Sequence, residues 1–222
     1  MTENHVSNFI IVPRNEEYPN PQDLKNTIFN DDGSPDVDDI TIKYGMVNIK
    51  IKETPTEDGT ATVIYHGTSL VDAPRRPVKY EDIVMASKDK ILFYEFKPKA
   101  KILNPDAFEQ NRNILRYELI GPENGPLFFI GDIIVSRKLQ KKQGNIGLHI
   151  PYYAKYMMVN IDISDAQFIK NGKATFINSD SENLPSITQT FNELSMTYSL
   201  SIKNVPRSDL IFTWKNQDKE NE

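Results

Sequence analysis

From Ile40 onward, apolar and polar residues alternate with a period of two, segment after segment. Ile40-Thr41-Ile42-Lys43-Tyr44 alternates. After Gly45, the run Met46 to Lys52 sets Val47, Ile49 and Ile51 against Asn48, Lys50 and Lys52. Pro55-Thr56-Glu57-Asp58-Gly59 supplies a reversal whose Asp-Gly step suits a hairpin. The next run puts Val63, Tyr65 and Gly67 on one face and Thr62, Ile64, His66 and Thr68 on the other. It is expected to break at Ser69-Leu70-Val71-Asp72 into the turn Ala73-Pro74-Arg75-Arg76-Pro77.

Further strands are predicted at Ile91 to Lys97, ended by Pro98, and at Ile114 to Ile120 and Leu127 to Ser136. Beyond them come Tyr156 to Ile163, Ala174 to Ile177, Met196 to Lys203 and Leu210 to Trp214. Short helices are predicted at Tyr80 to Ser87, Ser164 to Lys170 and Asn183 to Leu194. Another is predicted at Asn104 to Gln110, where a cap residue precedes Pro105, and a helical turn around Asp23 to Phe29. His149 reads as part of a Gly-Leu-His-Ile-Pro turn. Many short strands with brief helical interruptions predict a mainly β chain: a single antiparallel β-sandwich or jelly-roll-like domain over residues 40–215. A polar N-terminal arm or long loop, 1–39, precedes it and a disordered acidic tail, 216–222, follows.

Composition narrows the function. The 222 residues contain no cysteine, which removes disulfides, thiolate catalysis and cysteine-based metal sites. No apolar run approaches the roughly 18 residues of a membrane span, and the first residues lack the basic start and apolar stretch of a secretory signal, so an intracellular protein without a transmembrane span is expected. Net charge is −5, but unevenly spread: from Arg75 to Lys142 there are 14 Lys and Arg against 9 Asp and Glu.

Candidate chemistry is sparse. His66 lies in a strand and His149 in a turn, and no HExxH, GxSxG, P-loop or dinucleotide motif accompanies them, so neither catalysis nor a cofactor is expected. Asp162 and Asp165 could pair as carboxylate ligands, although Ser164-Asp165 reads more simply as a helix start. Non-specific binding of single-stranded nucleic acid needs cations for phosphates and aromatic faces for bases. Lys97, Lys99 and Lys101 alternate beside Phe93, Tyr94 and Phe96, and Arg137, Lys138, Lys141 and Lys142 form a second cluster. Alternating lysines also protect edge strands from aggregation, a plainer use of the same residues. Asp72 with Arg75 or Arg76 could fix the sheet corner by hydrogen bonds and an ion pair.

The order of elements from about Ile40 to Ser136 resembles the thirty-kilodalton superfamily of plant-virus movement proteins. The matching elements are the glycine-led strand Tyr44 to Ile51, the hydrophobic-Asp motif Ser69 to Asp72 with nearby Arg75 and Arg76, the aromatic strand Ile91 to Pro98, Asn104-Pro105-Asp106, and Ile114 to Gly121. Ala73 and Pro74 loosen the spacing from acid to arginine. The resemblance implies binding of single-stranded nucleic acid or viral nucleoprotein, self-association, and host partners at membranes or cell-wall channels. It places the protein in the host cytoplasm or at plasmodesmata. A virus or phage structural subunit (capsid, tail or matrix-like) acting through self-assembly is the alternative. A hydrolase or glycan-binding module would need a carboxylate or aromatic cluster that only the fold can assemble.

Overall fold

The computed structural model describes residues 40–53, 60–72, 78–83, 90–97, 100–102, 114–119, 127–150, 152–177 and 184–216. The arm 1–39 and the helices expected around Asp23 to Phe29 and Asn104 to Gln110 lie outside them. The chain forms β1 (Thr41–Glu53), β2 (Thr60–Asp72), β3 (Val78–Ile83), β4 (Lys90–Lys97), β5 (Ala100–Ile102), β6 (Ile114–Leu119) and β7 (Leu127–Lys138). It continues through β8 (Gln143–Ile150), β9 (Tyr153–Asp165), β10 (Lys173–Ile177), β11 (Ile187–Asn192), β12 (Thr197–Val205) and β13 (Ser208–Lys215). The mainly β, sandwich-like architecture expected from the alternation is what the chain adopts.

A seven-stranded sheet in the order β11-β12-β9-β1-β2-β7-β4 forms the main layer, and β10-β13-β8 forms a second. A third, three-stranded sheet has the order β3-β6-β5. Pairing in the large sheet is antiparallel except between β1 and β9, which run parallel at its centre. The core is contiguous across the first two layers. Val47, Ile49 and Ile51 of β1, Val159 and Ile161 of β9 and Leu200 of β12 share one buried cluster with Ile146 and Leu148 of β8 and Phe212 and Trp214 of β13. Each such side chain contributes about 1.5–3 kcal/mol by leaving water, so the inward face alone fixes the strand register.

Two glycines let the rings of β13 lie flat against their neighbours in the second sheet. A Cβ on Gly144 would lie 2.4 Å from Trp214 Cζ2, and one on Gly172 would lie 2.0 Å from Phe212 Cζ. The backbone therefore packs directly under each ring. Tyr198 of the large sheet meets Phe212 with ring centroids 4.9 Å apart, and its hydroxyl accepts from the Gly172 N–H at 3.1 Å.

Several local expectations are corrected. The strand does not break at Ser69: β2 continues to Asp72, with Ser69 and Val71 on its buried face and Asp72 paired with Thr41. Residues 187–192, read as helix, are the edge strand β11, where β-branched Ile187, Thr188 and Thr190 suit an extended chain. Ser164 to Lys170 finishes β9 and then makes tight turns, with Ala166 N donating to Ile163 O at 2.8 Å and Ile169 N to Ala166 O at 3.0 Å. Tyr80 to Ile83 belongs to β3, and the residues that follow lie outside those described. No helix occurs among the described residues, and none there is long and apolar enough to cross a membrane. His149 sits not in a turn but within β8, where Gly144 and Gly147 mask the strand pattern. Asn216 belongs to the fold rather than to a loose tail: its amide donates to Lys142 O at 2.7 Å.

Candidate nucleic-acid interface

The predicted cations fall in different places. Lys97 ends β4 at the edge of the large sheet, Lys101 lies in β5 of the third sheet, and Lys99 is outside the described residues. The alternating trio therefore does not share one strand. Asp72 is exposed and pairs with Lys43 Nζ at 2.7 Å, while Arg75 and Arg76 lie outside the described residues.

The second cluster is assembled and enlarged. Lys138 closes β7, and Lys141 and Lys142 sit in the turn before β8, all three exposed. Folding brings exposed Lys170, Lys173 and Lys215 to the same end, three residues that sequence spacing did not connect. Asn216 is the junction. Its side-chain amide donates to Lys141 O at 2.6 Å and also to Phe168 O, while its oxygen accepts from Lys170 N at 3.1 Å. Lys215 pairs with Gln143 across β13 and β8, and Lys173 with Thr213 across β10 and β13.

Aromatic groups support this end. Trp214 Nε1 donates to Gln140 O at 3.1 Å, Phe168 packs edge-on to Trp214 with centroids 6.3 Å apart, and Lys141 Nζ lies 5.9 Å above the Phe168 ring. A recess of about 130 Å³ opens here, lined by Arg137, Lys138, Gln140, Gln143 and Asn145. Arg137 is buried in its wall, and so is Asn145, whose side-chain oxygen meets no hydrogen-bond partner among the described residues. Segments 137–143, 168–173 and 213–216 contain no Asp or Glu. Cations gathered without interspersed acids create a positive field suited to phosphate oxygens.

Where β9 closes at this same end of the large sheet, charges are matched. Lys50 Nζ lies 3.0 Å from Asp162 and 3.5 Å from Asp165. The hydrogen bond to Asp162 raises the Lys50 ammonium above its ordinary value, against partial desolvation. Burial alone would push the Asp162 carboxyl up, but hydrogen bonds from Ser164 and the Lys50 charge hold it below its usual range. These two carboxylates thus serve a lysine, and among the described residues no group of three or more potential metal ligands gathers.

A polar row crosses all seven strands of the large sheet in register: Thr190, Ser199, Asn160, Asn48, His66, Asp132 and Glu95. Asn160 donates to Asn48 and Ser199 donates to Asn160, each at 2.9 Å, and His66 Nδ1 lies 3.6 Å from Asp132. Asp132 is buried, and desolvation, reinforced by the Glu95 charge and opposed by Lys97, pushes its carboxyl up to about 7. In the second layer His149 Nδ1–H donates to Asp209 at 2.7 Å with both side chains buried, tying β8 to β13. The adjacent Ser208 hydroxyl donates to Pro206 O at 2.9 Å, away from a nucleophile's role beside that histidine. Sequence reasoning could not find either group, because their members meet only through strand register.

No protein-family model matches the sequence, and comparison with curated proteins gives no match. Among solved structures, the M1 zinc metallopeptidase from Deinococcus radiodurans is similar over 78% of this chain and 42% of its own, at 12% identity and a TM-score of 0.36. A putative protease from Parabacteroides distasonis is similar over 81% and 41%, at 10% identity and a TM-score of 0.43. A putative nutrient binding protein from Legionella pneumophila is similar over 79% and 67%, at 9% identity and a TM-score of 0.39. The chain spans less than half the length of the peptidases it matches.

Proposed function

We propose that the protein is a non-catalytic binding module for a polyanion, held at the lysine-rich end of the sandwich. The observation that carries this reading is the convergence of Lys138, Lys141, Lys142, Lys170, Lys173 and Lys215 from three segments without an acid among them. Six exposed ammonium groups around one edge match a chain bearing a charge at every repeat better than a single small anion. Phe168 and Trp214 stiffen the platform, and the Asn216 hydrogen bonds fix the three segments relative to one another.

The finer reading is that the polyanion is single-stranded nucleic acid or a nucleoprotein, carried between cells as the resemblance of residues 40–136 implies. Stacking on an exposed aromatic would add sequence-tolerant affinity, and Phe168, half-buried beneath Lys141, is the available ring at this end. Titrating labelled mixed-sequence single-stranded RNA with the protein at low and at physiological salt tests it by fluorescence anisotropy. Micromolar or tighter binding that falls steeply with salt is expected. Absence of binding at low salt would sink the proposal and favour the structural-subunit reading, which large salt-resistant oligomers would then support.

A further inference from the structure

We propose a second, separate ligand site at the opposite end of the large sheet: an aromatic strip that binds a neutral linear glycan. β7 runs from Phe128 at this end to Lys138 at the other, about 30 Å away at the rise of an extended strand, so the strip and the lysines do not share one surface. Phe128, Tyr156 and Tyr44 are 56%, 48% and 46% exposed. Large rings left in water side by side on a sheet mark a contact surface rather than a lapse of packing.

Register arranges them in a line across the strands. Tyr44 pairs with Leu70 and Leu70 with Phe128, and the parallel match of Gly45 to Met157 sets Tyr44 beside Tyr156. On β12, Lys203 pairs with Tyr156 and its ammonium lies 6.0 Å from that ring's centroid. The line then enters a recess of about 520 Å³ walled by Ser186, Thr188, Ser201, Lys203 and Asn204. Asn204 holds a left-handed φ of 53°, and its side chain accepts from the Tyr153 hydroxyl at 2.8 Å, so this wall is fixed.

The chemistry selects the ligand. Among the described residues the charge of Asp72 on the strip is met by Lys43, and Lys203 is already placed over an aromatic face. Hydroxyl and amide groups in the recess, with apolar rings beside them, complement a pyranose: its C–H face packs on the ring while its hydroxyls bond to Ser186, Thr188, Ser201 and Asn204. Tyr44 and Phe128 stand two strands apart, about 10 Å, which is the span of two linked sugar units.

Isothermal titration calorimetry on the full chain with cello-, xylo-, manno- and chitohexaose tests the site, with a mixed-sequence single-stranded DNA oligomer run in parallel. At least one hexasaccharide should bind saturably, with affinity unchanged between about 50 and 200 mM salt, the range that separates it from a phosphate site. Tyr156→Ala and Tyr44→Ala, checked for unchanged melting curves, should each weaken that binding by about tenfold, the scale of one lost stacking partner. Lys141→Gln should leave it unaltered. No saturable binding by any of the four sugars would overturn the proposal, as would affinity indifferent to both tyrosine substitutions. DNA binding abolished by Tyr156→Ala, without sugar binding, would reassign the strip to base stacking.

Discussion

Gln189 on edge strand β11 acts as a missing strand for Ala174 on β10. Its side-chain oxygen accepts the Ala174 N–H at 3.0 Å while its amide donates to Gly172 O at 2.7 Å. One side chain thereby satisfies the free edge of the second layer and links it to the large sheet. Ala174 is buried, so its N–H has no easy recourse to water once the glutamine is gone. Gln189→Ala is expected to lower unfolding free energy by about 1–3 kcal/mol, the desolvation penalty of unsatisfied backbone groups. Urea denaturation reads this directly, and an unchanged midpoint would show that the edge is satisfied some other way.

Close approach of backbone to ring makes a second prediction. Gly144→Ala and Gly172→Ala place a methyl group at 2.4 Å from Trp214 and 2.0 Å from Phe212, distances that only displacement of the ring relieves. Each substitution should destabilise by about 1–3 kcal/mol, as overpacking does, and the two should add nearly independently since they meet different rings. Thermal melts of the single and double variants provide the check. Near-UV circular dichroism should change more for Gly144→Ala, because it moves the indole.

Asp132 predicts a pH dependence. A free aspartate titrates near 3.9, whereas in the fold this carboxyl is pushed up to about 7 by burial, with Glu95 adding to it and Lys97 opposing it. Between these values the native state holds a proton that the unfolded chain has released, so stability falls as pH rises from about 4 to 7 and levels off above. The protein should therefore be more stable at pH 5 than at pH 8, with a contribution from this group on the order of 2–4 kcal/mol. Asp132→Asn should flatten the profile. His66 faces Asp132 at 3.6 Å, so the same comparison in a His66→Gln background shows whether the profile belongs to Asp132 alone. A profile unaffected by Asp132→Asn would refute the assignment.

The corner acid illustrates how far sequence reasoning reached. The alternation around Asp72 placed Val63, Tyr65 and Gly67 on one face and His66 on the other, and the fold agrees, because burial of one face dictates a period of two whatever the strand's neighbours. What the alternation could not show was the partner of Asp72. Lys43, 29 positions earlier by number, reaches it because β1 and β2 pair with Thr41 opposite Asp72. The polar row through Asn160, Asn48 and His66, and the buried His149–Asp209 pair, were hidden for the same reason: each residue looks unremarkable in its own strand. Gly144 and Gly147 concealed β8, since glycine weakens a strand signal, while Gly144 serves a close approach to Trp214.

Exposure also revises the energetic weight of that acid. With side chains of Asp72 and Lys43 53% and 46% exposed, solvent screens their attraction. Asp72→Ala should then shift stability by less than about 1 kcal/mol, the range of surface ion pairs. A larger loss in chemical denaturation would mean that Asp72 fixes the corner through more than Lys43.

The lysine-rich end yields the most quantitative expectation. For single strands, each phosphate contact contributes about 0.7 to the slope of log affinity against log salt. If Lys138, Lys141 and Lys142 each neutralise a phosphate, replacing all three with Gln should reduce that slope by about 2 and weaken binding most at low salt. Lys173→Gln and Lys215→Gln should each remove a further step of similar size, because strand pairing puts them on the same edge. Lys97→Gln, at the far edge strand β4, should leave the slope unchanged. Anisotropy titrations over a salt series distinguish these outcomes. A slope insensitive to the triple replacement, with the fold intact by circular dichroism, would remove this end as the phosphate-binding surface; a fall with Lys97→Gln would move the contact to the edge at β4.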